Sequence, residues 1–169
     1  MENDRTIYSG HVRLVARPYC GKEWDVVISK NACAVLYIDD RDDVWLVKQH
    51  RVPLQKELLE VPAETIDKPG KSSLDVVIEG LEEECGVVVH RNQVEYVLSL
   101  YLTPGHDTEK IDLYIAKGQH QQAQQRLGPD EKIEVVKMPF NKAREMLLKG
   151  EIWDAKTAIL LLYETARRS

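Results

Sequence analysis

Four carboxylates crowd one short stretch of this 169-residue chain: Glu79, Glu82, Glu83 and Glu84, followed by Cys85 and Gly86. Hard divalent cations take carboxylate and carbonyl oxygens, so such a cluster suits Mg²⁺ or Mn²⁺ held against an anionic substrate. Ser72 reads as a helix N-cap with Asp75 three residues on, a shortened capping box, and Gly86 stands where a helix stops in the left-handed conformation. A helix from about Ser73 to Cys85 is expected. Leu74, Val77, Ile78 and Leu81 form its buried stripe, Glu79 and Glu83 point away, and Gly80 and Glu84 flank it. Acids in a last turn oppose the helix dipole, so the cluster costs stability unless a cation compensates it. The plainer alternative is a solvated acidic face.

The rest of the chain must position that helix. With 43% hydrophobic residues, a chain of this length supports one domain with a real core and is short for two. The expected organisation is a single domain over 1–169, a β segment over 1–30 followed by a core over 31–169. Apolar runs at Ile7–Ala16, Trp24–Ser29, Ala32–Ile38 and Val44–Gln49 predict four strands, and Val94–Leu102, Lys110–Ala116 and Ile133–Met138 predict three more. Asn141–Lys149 and Asp154–Arg167 carry helical spacing, while the glutamine-rich Gly118–Pro129 lacks periodicity and reads as a mobile connection. A net charge of −5 argues against nucleic-acid binding by phosphate neutralisation. Cys20, Cys33 and Cys85 are odd in number and widely spaced, which favours neither a disulfide framework nor a CxxC metal site and points to the cytoplasm. No run of about 18 apolar residues is present, so no membrane span is expected.

Residues 62–87 resemble a Nudix box, Gly-x5-Glu-x7-Arg-Glu-U-x-Glu-Glu-x-Gly-U with U aliphatic. Leu81, Glu83, Glu84, Gly86 and Val87 match. Glu64 stands where the first glycine belongs, Lys71 replaces a glutamate after a one-residue insertion in the turn, Glu79 replaces the arginine, and Gly80 replaces a metal-binding glutamate. The flanks extend the likeness. Val47-Lys48-Gln49-His50-Arg51 resembles the strand before the box in the ADP-sugar and NDP-sugar diphosphatases of the superfamily, and Thr103-Pro104-Gly105-His106-Asp107-Thr108-Glu109 is similar to their Ser-Pro-Gly loop with its following glutamate. The segment from Asp130 to Val135 resembles their acidic loop and strand, and that from Gly150 to Thr157 the start of their last helix. Asp67-x-Pro69-Gly70 and the ending Glu83-Glu84-Cys85-Gly86 lean toward the UDP-sugar and GDP-mannose diphosphatase branch.

The resemblance implies an α/β Nudix fold, an α/β/α sandwich with a mixed sheet preceded by a short N-terminal β segment that helps form a homodimer. It implies Mg²⁺- or Mn²⁺-dependent hydrolysis of a nucleoside diphosphate sugar to nucleoside monophosphate and sugar phosphate. Carried over by position, Glu84 and Glu83 are the metal ligands with the Ala63 carbonyl, and Glu131 or Asp130 is the base. Arg51 grips phosphate, with Gln49, Pro104, Gly105 and Glu109 near the substrate. Glu79 and Glu83, four apart, offer a second way to chelate an ion one position round the helix. Gly80 removes a ligand and Glu79 adds a repelling acid, so weaker metal binding is expected, and Gly80→Glu is expected to raise the rate. The rival reading is a degenerate Nudix domain that binds a nucleotide or a partner protein without turnover. Trp24 is the tryptophan best suited to dimer burial or base stacking, and Lys156 reads simply as a residue at a helix N-terminus capped by Asp154.

Overall fold

A computed structural model describes residues 4–10, 12–129 and 131–169. The chain begins with three antiparallel strands, β1 (Arg5–Ser9), β2 (Arg13–Tyr19) and β3 (Lys22–Ile28). The run expected to be one strand over Ile7–Ala16 is broken near Gly10 and folds back as β1 against β2. Cys20 and Gly21 join β2 to β3 with φ of 51° and 75°, the left-handed pair that a two-residue hairpin turn requires.

The central sheet holds β4 (Ala32–Ile38), β5 (Asp43–Arg51), β6 (Lys56–Glu60), β7 (Ala63–Thr65), β9 (Val94–Tyr101), β10 (Lys110–Lys117) and β12 (Ile133–Pro139). Its backbone order is β12-β5-β4-β10-β9, with β6 on β5 and β7 on β4. Strands β4 and β10 are parallel and the other pairs antiparallel, so the sheet is mixed. Strand β4 shows why it lies in the middle. Ala34, Leu36 and Ile38 face one core with Leu46, Leu113, Phe140 and Leu160, while Cys33, Val35 and Tyr37 face the other with Val77, Leu81 and Val87. Helices α2 (Phe140–Leu148) and α3 (Ala155–Arg168) cover the first face and α1 (Ser73–Cys85) the second, giving the α/β/α sandwich. Among the described residues no helix is long and apolar enough to cross a membrane.

Helix α1 has the expected ends. Ser72 and Asp75 form a reciprocal capping box, and Gly86 closes the helix at φ 66°. Its buried face is rotated from the expected stripe: Val76, Val77, Gly80, Leu81, Glu84 and Cys85 are buried, whereas Leu74 and Ile78 are half-buried. Gly80 and Glu84 thus sit inside the contact rather than at its border. The reason is β7, which packs against α1 along that side.

The glutamine-rich segment is not a loose connection. Its β11 (Gln121–Gln122) pairs with β8 (Val87–Val88), and Ala123 and Arg126 donate backbone N–H groups to the carbonyls of Gly86 and Glu83. Gln125 Nε2 donates to the Glu84 carbonyl at 2.7 Å, and Arg126 pairs with Glu82 at 2.7 Å. These donors satisfy carbonyls that a helix end leaves without partners and place a cation at the negative end of α1.

Candidate functional site

Helix α1 and strand β7 build the site between them. In the β4–β7 ladder Glu64 is directly opposite Cys33, whose side chain belongs to the core under α1, so Glu64 also points to that helix. There it meets Gly80. A Cβ on Gly80 would overlap Glu64 Cγ and would lie 3.0 Å from its Cδ and Oε1. The side chain of Glu64 therefore occupies the space that a side chain at position 80 would take. An unaccompanied Gly80→Glu change puts a second carboxylate into space that Glu64 fills, so Glu64 would have to move before the expected gain in rate could appear.

Position 84 lies one turn beyond position 80 on the same face. Glu84 is only 7% exposed, and its Oε2 has no hydrogen-bond partner among the described residues. Its carboxyl is pushed up to about 8, first by burial and then by the charges of Glu64 and Glu131. Glu64 is pushed up to about 7 by burial and by Glu83. The backbone N–H of Ala63 faces the Glu84 carboxylate. Ala63 is a non-hydrogen-bonded position of the β4–β7 ladder, because the backbone bonds run from Val35 N to Pro62 O and from Ile66 N to Asn31 O. Its carbonyl is thus directed away from β4.

Glu79, expected as a metal ligand, is engaged in ion pairs instead of standing open. It is held by two ammonium groups, Lys68 at 3.1 Å and Lys71 in a short contact, and these depress its carboxyl below the ordinary glutamate value. Lys71 and Glu79 are also the two positions where the box would carry glutamate and arginine, so the expected repulsion is replaced by an ion pair of reversed polarity. Lys68 Nζ lies 3.8 Å from Glu83, which is half-exposed.

A cavity of about 280 Å³ opens beside these carboxylates, lined among others by Arg51, Ala63, Glu64, Glu109 and Lys156. Arg51 is fixed by two hydrogen bonds of 2.6 Å from Nε and Nη2 to the buried Glu60, and its Nη1 makes none among the described residues. Lys156 is buried, paired with Glu60 in a short contact and with Asp154 at 2.7 Å. The bland reading of Lys156 missed this. A lysine two residues after a capping aspartate was the available signal, since it puts an ammonium in the first turn of a helix. Glu109 is half-buried, and burial and Asp107 raise its carboxyl.

Other expected site residues stand apart. Gln49 shares a face of β5 with Arg51 but does not line the cavity. Pro104 and Gly105 are exposed on the loop between β9 and β10, outside the cavity wall. That loop is tied to the N-terminal sheet: Val27 N donates to His106 O at 2.7 Å, Thr108 N to Val27 O at 3.1 Å, and Ser29 Oγ to Asp107 Oδ2 at 3.1 Å. Glu131 is exposed, accepts the Gly128 N–H at 2.8 Å, and adds its charge to Glu64 and Glu84. Asp130 lies outside the described residues.

Among the described residues no three His, Cys, Asp or Glu side chains are gathered into a ready-made cation cage. The donors fit Mg²⁺ or Mn²⁺ in another way. Mg²⁺ is commonly held by one or two carboxylates, with substrate phosphate and water completing its shell. The unpartnered Glu84 oxygen, Glu64 beside it and the Ala63 carbonyl supply such a partial set.

No family model matches the chain. It is 35% identical over 141 residues to a GDP-mannose pyrophosphatase of Salmonella typhimurium, covering 78% of this chain and 71% of that protein. It is 31% identical to the methanol dehydrogenase activator of Bacillus methanolicus and 29% identical to the ADP-ribose pyrophosphatase of Bacillus subtilis, each over 140 residues, 82% of this chain and 74% of the relative. A crystal structure of an ADP compounds hydrolase superposes with a TM-score of 0.77 at 19% identity, covering 98% of this chain and 92% of that one, and shares the fold.

Proposed function

The chain belongs to the Nudix hydrolase superfamily, and on that footing we propose that it hydrolyses the diphosphate bond of a nucleoside diphosphate sugar with Mg²⁺ or Mn²⁺, releasing a nucleoside monophosphate and a sugar phosphate. The observation that carries this reading is one cavity lined by the cations Arg51 and Lys156 and the carboxylates of Glu64 and Glu109, with Glu84 buried nearby and its Oε2 unpartnered among the described residues. The cations would grip phosphate oxygens there while the acids would hold a metal ion or a water. The names of the pyrophosphatase relatives support the substrate class.

The side chains divide the work. Arg51, immobilised on Glu60, offers its remaining Nη1 to a phosphate oxygen, and Lys156 adds a second positive charge. Glu64, Glu84 and the Ala63 carbonyl would hold the divalent ion, with Glu83 as a further acid at the helix end. Such an ion neutralises phosphate charge and favours ionisation of a bound water. Glu131, at the rim and electrostatically within reach of Glu64 and Glu84, is positioned to take the proton from the attacking water. Glu109, also lining the cavity, orders solvent there.

The chain acts as one domain in the cytoplasm, and as a homodimer through its first 30 residues. There Tyr8, Tyr19 and Trp24 are 57%, 68% and 54% exposed, more aromatic surface than a free hairpin sheet would leave to water. Light scattering on the eluting protein tests this, and a monomeric mass refutes it.

The activity is tested by incubating the protein with UDP-, GDP- and ADP-sugars and ADP-ribose in Mg²⁺ or Mn²⁺. Release of nucleoside monophosphate and sugar phosphate is expected. One observation favours a second reading, binding without turnover: the Lys68 ammonium near Glu83 stands where it competes with a metal ion. Calorimetric binding of a nucleotide sugar with no product released establishes that reading and removes the first.

A further inference from the structure

We propose that Glu64, reaching across from β7, is a divalent-cation ligand of this chain, acting with Glu84 in place of a carboxylate on α1 at position 80. The inference rests on the reading of the site as a metal-dependent hydrolase and adds which side chains hold the ion. Its basis is a relation of space. The Glu64 side chain fills the volume over Gly80 so closely that a Cβ there would overlap its Cγ. Position 80 precedes Glu84 by one helical turn, so whatever occupies that volume is the immediate neighbour of the Glu84 carboxylate. Glu84 is buried with Oε2 unpartnered, and a buried carboxylate oxygen without a donor demands a ligand. The side chain that fills that volume from another element is Glu64, also an acid, and two facing acids are tolerated when a cation joins them.

The two departures at 64 and 80 are then one relocation. A carboxylate carried on the helix in the family pattern is carried here on the strand, and the glycine that made room for it has moved from strand to helix. At the other two departures Lys71 and Glu79 form an ion pair, glutamate and arginine of the family pattern being replaced by lysine and glutamate.

Mn²⁺ binding, read by calorimetry and by the loss of the free-ion electron paramagnetic resonance signal, tests this without any activity measurement. Four proteins are compared: wild type, Glu64→Gln, Gly80→Glu, and the double variant Glu64→Gly with Gly80→Glu. Circular dichroism and Tm check that each is folded. Wild type is expected to bind, and Glu64→Gln to bind about tenfold or more weakly, since ligand charge count sets affinity. Gly80→Glu alone should not bind better than wild type, and the double variant should recover to within about fivefold of it, a coupling that independent sites do not show. Unchanged binding by Glu64→Gln overturns the proposal, as does a folded double variant no better than Glu64→Gln. If Gly80→Glu fails to fold, the comparison of wild type with Glu64→Gln still decides. The function reading fails separately: a wild-type protein that binds Mn²⁺ through Glu64 but releases no product keeps this inference and loses that one. Hydrolysis with binding indifferent to Glu64 does the reverse, and a wild type that takes up no Mn²⁺ removes both.

Discussion

Lys71 and Glu79 are joined by an ion pair across the turn that leads into α1, with Lys68 as a second partner of the same glutamate. Both members of the pair are more than a third exposed or close to it, so solvent screens the contact. Lys71→Glu or Glu79→Arg alone should cost about 0.5–1 kcal/mol by turning attraction into repulsion, and the double reversal should recover part of that loss, because Lys68 then faces the new guanidinium. Urea titration of the four proteins measures this; additive losses in the double variant would show the pair to be incidental.

Glu60 is the keystone under the cations of the cavity. It is 1% exposed and bound to both Arg51 and Lys156. Burial opposes its ionisation, but the hydrogen bonds from Arg51 and Lys156 outweigh this and hold its carboxyl below the ordinary value. Glu60→Gln keeps the shape and removes the charge, leaving two cations facing each other. A loss of roughly 2–4 kcal/mol is expected, discounted for the partial exposure of Arg51. Substrate KM should also rise as Arg51 loses its fixed position. Thermal unfolding and steady-state kinetics report both, and an unaltered Tm would be inconsistent with the network.

The acids of the site predict an inverted pH dependence. Glu64 and Glu84 titrate near 7 and 8 in the folded chain, against 4.5 for an ordinary glutamate. A carboxyl raised on folding binds more protons folded than unfolded, so its contribution is full below about pH 4.5 and disappears as pH rises through the folded values. In EDTA, Tm should therefore fall by several degrees between about pH 5 and pH 8. Millimolar Mn²⁺ should flatten or reverse the slope, because a cation favours the ionised acids. A Tm that climbs over this range in EDTA would contradict the burial of these groups.

Gln125 closes the end of α1. Its Nε2 serves the carbonyls of Glu84 and Ile133 at 2.7 and 3.2 Å. Gln125→Ala should cost about 1–2 kcal/mol by leaving these acceptors unserved. Hydrogen exchange should quicken at Glu83 to Gly86 before the central strands respond; equal protection in the variant would mean water replaces the amide without loss.

Local rules made much of this molecule legible. Ser72, Asp75 and Gly86 specify both ends of α1, since capping chemistry acts over a few residues. The unbroken apolar run Ala32–Ile38 marks a strand buried on both faces. The four departures from the box were each readable, but not their pairing, because Glu64 meets Gly80 only through the register of β7 on β4 and the rotation of α1. The same limit applies to Lys156, whose partner Glu60 is 96 residues away. The glutamine-rich segment misled because its order comes from the helix end it serves, not from any periodicity of its own.

Val27 exchanges main-chain hydrogen bonds with both His106 and Thr108. The first hairpins of the chain are thereby latched to the rim that carries Glu109. A shift of their pairing by even one residue would drag the mouth of the cavity along, whatever side chains they carry.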